Sequence, residues 1–238
     1  MVETSESKPR VMVICAHPDD LDFGCSGTMT LWAREGREII YVLCTSGDKG
    51  TADPGITPEN LMEMREEEQR CSAANVGAKE VIFLRLRDGE VENNQHLRRE
   101  LVRLIRKYRP HIVLTHDPAN RQFDNQYLCH SDHRAVGEAV FDTIYPAAGN
   151  RNFYPELLLE GYEPHKVSEI YFFGTHRPDV WVDISSVMEE KIAALLCHKS
   201  QLGSDKSFVS WIRERFSQLG KPKGMKYAEV FRRLNLGP

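Results

Sequence analysis

What the sequence lacks narrows the field first. No apolar run approaches the roughly 20 residues that cross a bilayer as a helix. There is no excess of positive charge: the 238 residues carry a net charge of -4 and a sequence pI of about 6.2. That balance leaves no basic footprint for nucleic acid and no polybasic attraction to an anionic membrane surface. The six cysteines, Cys15, Cys25, Cys44, Cys71, Cys129 and Cys197, include no C-x-x-C pair. A thiolate metal site is therefore disfavoured, and the thiols are expected to be reduced, structural and unnecessary as pairs for the fold. No G-x-x-x-x-G-K-[ST] occurs, and Gly24 to Gly27 lacks the spacing of a dinucleotide turn, so phosphate cradling is poorly supported. Internal repeats and low-complexity tracts are missing too. Met1 to Arg10 is polar and has no apolar h-region, which with the cysteine usage predicts a cytoplasmic protein whose first nine residues are flexible.

What is present is a regular alternation of apolar runs and helical stretches. Buried strands are predicted at Val11–Ala16 and Ile39–Cys44, further strands at Val81–Leu86 and His111–Thr115, and later short strands at Glu169–Gly174 and Val180–Ile184. Helices are predicted at Gly27–Gly36, Pro58–Val76, Asn94–Tyr108, Asp132–Thr143 and Ser186–Gln201. Leu97, Leu101, Leu104 and Ile105 share one face of the third of these. Near-continuous apolar strands are covered on both faces, so the sheet should be mostly parallel. Strand–helix alternation then implies right-handed crossovers and one α/β domain over the whole chain, a Rossmann-like sandwich with helices flanking a central sheet. Pro146–Pro164 reads as a long loop, and the basic tail beyond Gln201 as solvated surface.

In such folds the sites lie at the carboxyl ends of strands. The first strand runs directly into His17-Pro18-Asp19-Asp20, and the fourth leads through a loop to His130-Ser131-Asp132-His133 at a helix start. With a strand order such as 3-2-1-4-5 the two clusters meet. His17, Asp20 and one of His130 or His133 then form a two-histidine, one-carboxylate site with an open position, the donor set of a catalytic zinc. Asp19, pointing differently from Asp20, could address a water. The rival explanation is helix capping by Asp19 or Asp20 and by Asp132 within a buried polar network; two such clusters at strand ends favour the metal.

Ala16-His-Pro-Asp-Asp20 together with His130-Ser-Asp-His133 resembles the PIG-L/LmbE-like zinc N-deacetylases. Gly24-Cys-Ser-Gly-Thr28, Thr45-Ser-Gly-Asp-Lys-Gly50, Arg65-Glu-Glu-Glu68, Asp88-Gly89, Lys191-Ile-Ala-Ala194 and His198-Lys-Ser-Gln201 extend the resemblance over most of the chain. Asp22, Cys25 and Ser131 depart from residues common in the family. The resemblance implies His17, Asp20 and His133 as zinc ligands and Asp19 as general base. It implies His130 as a charge-stabilising or proton-donating residue and Asp132 as the group that orients a histidine. It also raises Arg65 and Asp88 as substrate contacts beside their ordinary readings, a solvated ion pair and a turn residue. His116, at a strand end, and Arg151, in the long loop, are further candidate substrate contacts.

The expected activity is hydrolytic removal of the N-acetyl group from an N-acetylglucosamine-type sugar or conjugate, with zinc, or iron(II) as the other metal suited to that donor set. The expected partner is that small molecule, not nucleic acid or membrane, and the family implies a homo-oligomer. Two rivals are an amidase acting on thiol-linked amino-sugar conjugates and a non-catalytic Rossmann-like module binding a sugar or nucleotide.

Overall fold

Strand β1 (Val11–Cys15) has every residue buried, and alternate side chains enter different cores. Met12 and Ile14 join a core with Leu97, Leu101, Leu104, Val136 and Val140. Val11, Val13 and Cys15 join a second, with Leu21, Met29, Ala73, Val76 and Ala194. This is why the run is apolar throughout: both faces of the sheet are covered by helices. The structure, a computed structural model, describes residues 9–121, 129–202 and 206–237; the expected flexibility of the amino terminus falls, through residue 8, outside the described residues.

Strands β2 (Ile39–Thr45), β3 (Glu80–Leu86), β4 (Ile112–His116) and β5 (Glu169–Phe173) join β1 in parallel. Among the described residues the sheet order is β3-β2-β1-β4-β5-β7-β6. The expected 3-2-1-4-5 arrangement is present, and the order reverses between β1 and β4, which opens a crevice at their carboxyl ends. Around the sheet pack α1 (Asp20–Gly24), α2 (Ser26–Arg34), α3 (Pro58–Val76), α4 (Gln95–Tyr108) and α5 (Ser131–Asp142). Local chemistry sets the ends of α3: the Thr57 hydroxyl accepts from Asn60 N–H, Pro58 opens the helix, and Gly77 closes it at φ 86°. The long loop after α5 holds a π-helical turn (Thr143–Ala148) and the short α6 (Glu156–Leu159). The predicted Ser186–Gln201 helix is broken into α7 (Met188–Leu195) and α8 (Lys199–Leu202).

Two expectations fail. The basic tail is not merely solvated surface: it forms α9 (Lys206–Gly220) and β7 (Ala228–Asn235), and β7 lies between β5 and β6 (Val180–Asp183), antiparallel to both. Its Ala228, Glu229 and Phe231 are buried, Arg232 is half-buried and Arg233 exposed, so the strand reads as charged although its first half is core. The second failure concerns thiols: Cys71 on α3 and Cys197 after α7 form a disulfide, with Cα atoms 5.9 Å apart. Cys15, Cys25, Cys44 and Cys129 are free and buried.

Inside the fold, β7 supplies Glu229, fully buried beside an equally buried Lys191 on α7 (Nζ–Oε1 2.7 Å). Lys191 Nζ donates to the carbonyls of Asp22 (2.6 Å) and Phe23 (3.2 Å) at the end of α1. Glu229 accepts from Gly27 N–H (2.9 Å), Thr28 N–H (2.7 Å) and the Thr28 hydroxyl (2.5 Å) at the start of α2. A cation thus meets one helix's carbonyl end and an anion the next helix's amide end, the arrangement the peptide dipoles favour.

Breaking this pair leaves one uncompensated charge in the interior, so Lys191→Met should destabilise the protein by about 3–5 kcal/mol in chemical denaturation, and a loss below about 1 kcal/mol would show that the pair does not hold the fold. The bridge closes a separation of 126 residues. Its reduction should lower stability by about 2–4 kcal/mol; an unchanged denaturation midpoint in reductant would show that the bridge does not form in solution.

Candidate metal centre

The turn after β1 separates two adjacent carboxylates. Asp19 adopts φ 86°, a left-handed backbone that a non-glycine residue adopts only when its surroundings enforce it. Its N–H donates to Gln69 Oε1 (3.0 Å), and its carbonyl accepts the Asp22 and Phe23 N–H groups of α1 (2.8 and 3.1 Å). Asp19 Oδ2 lies 3.4 Å from Arg65 Nη2. Asp20, by contrast, accepts from His17 N–H (2.8 Å) and faces the histidines. Arg65 is 4% exposed and donates to Pro18 O (2.8 Å) and Gly47 O (3.2 Å). A Cβ at Gly47 or Gly50 would overlap its guanidinium, which explains the glycines of that segment.

Asp20 is the hub. Its oxygens lie 3.4 Å from His17 Nδ1, 3.0 Å from His133 Nε2 and 3.3 Å from His116 Nε2. His116 stacks on His133 at 4.1 Å between centroids, and His130 meets His17 edge-on at 4.8 Å. The other nitrogen of His17, Nε2, lies 3.0 Å from Asp88 and 3.2 Å from Asp132. Asp132 is fully buried and also accepts from the N–H groups of Gly89 (2.7 Å) and Val91 (3.4 Å). Three groups have candidate ligand atoms within 4.8 Å of one another: His17/His130/His133, Asp20/His116/His133 and His17/Asp88/Asp132. They overlap in one cluster able to hold a metal. Two ligands about 2.0–2.1 Å from one tetrahedral ion stand about 3.3 Å apart, close to the Asp20–His17 and Asp20–His133 separations above. The donor set fits a divalent cation.

The charges follow from this packing. Burial lowers the His17 pKa, but its bonds to Asp132, Asp20 and Asp88 outweigh that, and the imidazole is pushed up to about 12. Burial likewise opposes ionisation of Asp20, yet His133 and His116 hold it well below the usual carboxylate range. Burial, then the charge of Asp20, lifts Asp19 to about 6 against the pull of Arg65. His116 is pushed down to about 4 by burial and by His133, and His130 down by burial and by His17. Against the opposing effect of burial, the bond to His17 lowers Asp88 and Asp132.

Of the residues singled out from sequence, His17, Asp19, Asp20, Arg65, Asp88, His116, His130, Asp132 and His133 converge here. Arg151 does not. Helix α5 carries the chain back from the site, so residues 149–168 lie at the amino ends of the strands, where His165 bonds to Ala148 O (3.0 Å) and Pro110 O (2.7 Å). Buried Arg106 gathers that segment through Asn150 O and Phe153 O (both 2.9 Å); Arg151 is exposed at this far edge. Arg65 is not a solvated ion pair either, since its helix face packs on the Asp19 turn.

Sequence reasoning missed the supports. Gln69 bridges Asp19 to Asp22 (Nε2–Oδ2 3.1 Å), and fully buried His198, for which the sequence offers no role, bonds to the same Asp22 oxygen (2.7 Å). A cavity of about 630 Å³ also opens on Asp20, His116 and His133.

The family model described as "GlcNAc-PI de-N-acetylase", PIG-L, matches residues 12–144. A diacetylchitobiose deacetylase of Thermococcus kodakarensis is 36% identical, over 94% of this chain and 82% of that protein. A probable N-acetyl-alpha-D-glucosaminyl L-malate deacetylase of Bacillus anthracis is 27% identical, over 84% of each chain. The structure of the N,N'-diacetylchitobiose deacetylase of Pyrococcus horikoshii superposes with a TM-score of 0.89 at 31% identity, covering 97% of this chain and 87% of that one. With the paired histidine motifs at the crevice and this breadth of match, the chain belongs to the PIG-L family of N-deacetylases.

Proposed function

We propose that this protein is a zinc-dependent hydrolase that removes the N-acetyl group from N-acetylglucosamine-type sugars or their conjugates and releases acetate. One observation carries the reading: Asp20 faces His17 and His133 while its neighbour Asp19 is turned away to Arg65, which supports the first carboxylate as a metal ligand and the second as a proton acceptor. His17, Asp20 and His133 are the proposed ligands. His116 fits less well because its Nε2 accepts the Ala16 N–H (3.2 Å). Bound there, zinc supplies a Lewis acid for the acetamide carbonyl and acidifies water to a pKa of about 7. Iron(II) suits the same donors.

The chain's own residues do the rest. Asp19 takes the proton of the attacking water. Arg65 and Gln69 fix its position. Asp132 and Asp88 fix the ring of His17, so that Nδ1 faces the ligand side. His130 accepts the Asp132 N–H at Nδ1 (3.2 Å), and with its pKa lowered it is neutral near pH 7 and carries its proton on Nε2. It therefore stabilises the tetrahedral oxyanion as a neutral hydrogen-bond donor and not as a source of protons. The departing amine takes its proton from Asp19, which received it from the water.

The reading extends to a cytoplasmic enzyme that assembles from copies of itself. No helix among the described residues is long and apolar enough to cross a membrane. Tyr145 and Leu159 are exposed, 69% and 92%, at the edge away from the site, and an interface there would cover them. The Cys71–Cys197 bridge counts against the compartment.

Zinc content and turnover separate the roles. Asp20→Ala and His133→Ala should lose most bound zinc; stoichiometric zinc in both would refute the ligand set. Asp19→Asn should keep zinc and lower kcat by about 10²–10⁴-fold. The base acts deprotonated, so kcat/KM of the native enzyme should fall as pH drops through the Asp19 pKa, near 6 without metal and lower beside a bound cation. That acidic limb should vanish in Asp19→Asn. Near-normal turnover of the zinc-loaded Asp19→Asn would overturn the general-base role, and no acetate from any N-acetylglucosamine derivative with zinc bound would overturn the activity.

A further inference from the structure

The cavity beside the metal centre is larger than an acetyl group requires. At about 630 Å³ it lies within the range of about 300–1,000 Å³ that accommodates drug-sized ligands. Its floor includes Asp20 and His133, two of the proposed ligands, together with His116. Asp19, His130, Arg65 and Asp88 do not line it. Yet Asp19 must protonate the departing amine, so the amino sugar belongs on the side of Asp19 and its neighbours. A carbonyl held at the ligands has one other substituent, the acyl group, and the cavity is the space that reaches the ligands without passing the amine-side residues.

Asn120, His176 and Arg215 also line the cavity, but one side of it suits a hydrocarbon chain. Phe23 from α1, Phe173 from β5, and Phe216 and Leu219 from α9 face the cavity. Gly24 lets Phe173 lie against α1: a Cβ there would stand 2.7 Å from its ring. Trp211, 50% exposed, stands at the mouth with Thr175. Trp211, Arg215 and Leu219 lie four residues apart along α9, on one face, and the Arg215 guanidinium sits 5.5 Å from the Trp211 ring. An exposed indole beside a cavity that runs to the ligands is apolar surface that a ligand chain would cover.

We infer that the cavity bounded by α1, the end of β5 and α9 is an acyl-chain pocket, and that the enzyme hydrolyses N-acyl amino sugars with aliphatic chains longer than acetyl. The inference rests on the deacylation proposed above. The reaction is the same: water oxygen bonds to the acyl carbon, the C–N bond breaks, and the products are the fatty carboxylate and the protonated amine. No further reactant is needed. Only the destination of the chain is new.

The test is a series of N-acetyl-, N-butanoyl- and N-hexanoylglucosamine with the zinc-loaded enzyme. Each methylene buried against the walls should raise kcat/KM, so hexanoyl should exceed acetyl by about tenfold or more. Trp211→Ala, which strips the mouth, and Thr175→Trp, which fills it, should each reduce the hexanoyl-to-acetyl ratio, mainly through KM. Phe153→Ala, at the opposite edge, should leave that ratio unchanged. Acetyl turnover with hexanoyl below about one-hundredth of it would overturn the pocket while leaving the deacetylase intact. So would Trp211→Ala and Thr175→Trp variants that slow both substrates equally, or neither. No turnover of any member, with zinc bound, would remove the deacylation reading and this inference with it.

Discussion

The left-handed backbone of Asp19 is the constraint on which the site depends. Adjacent residues of an ordinary helical turn leave the axis about 100° apart. Here Asp19 sits at φ 86°, and its carboxylate meets Arg65 while that of Asp20 meets the histidines. Such a conformation costs on the order of 1–3 kcal/mol in a residue that is not glycine. The surroundings offset it. Gln69 binds the Asp19 N–H, Arg65 binds the preceding carbonyl and the carboxylate, and the first turn of α1 closes on the Asp19 carbonyl.

Those surroundings are themselves held by buried charge. Helix α1 has only five residues, too few to be stable by its own hydrogen bonds. Lys191 and Glu229 clamp its end to the start of α2, while His198 and Gln69 hold Asp22 within it. Apolar residues of the same volume could fill that space more cheaply. They could not bind two carbonyls and two amides at the junction of two short helices. The clamp therefore specifies where the turn sits, and through the turn it specifies which carboxylate meets the histidines.

What was legible in the sequence follows from the same physics. Val11–Cys15 and Ile39–Thr45 are apolar at every position because both faces are covered, and that alone predicts a parallel sheet with its crevice at the carboxyl ends. His17, Asp19, Asp20, His130 and His133 were visible because unspaced polar clusters at the ends of buried strands are costly without a purpose. The tail strand was hidden: Arg232 and Arg233 follow directly on the buried Ala228 and Phe231 and make the segment read as charged, and the partners of β7 lie far back in the chain. Arg65 was raised only by the family resemblance, because its three neighbouring glutamates look like a solvated helix face until the Asp19 turn is seen to fill the space beside it. The Cys71–Cys197 pairing and the clamp depend on separations of 126 and 38 residues, which no local pattern encodes. Arg151 was misplaced because a long loop signals function without saying which end of the sheet it occupies.

The resulting network also holds the His17 ring through the protein's own hydrogen bonds. Asp132 is fixed by two backbone amides before it meets His17, and Asp88 approaches the same nitrogen. Both carboxylates lie on one edge of the ring, so the opposite edge, Nδ1, is directed at Asp20. Three carboxylates around one imidazole favour its protonated form. In the proposed ligand set a divalent cation at Asp20 and His133 would compete with that proton for Nδ1, while Nε2 would stay with Asp132 and Asp88. The ring's orientation would then be set in folding and not at the moment of reaction.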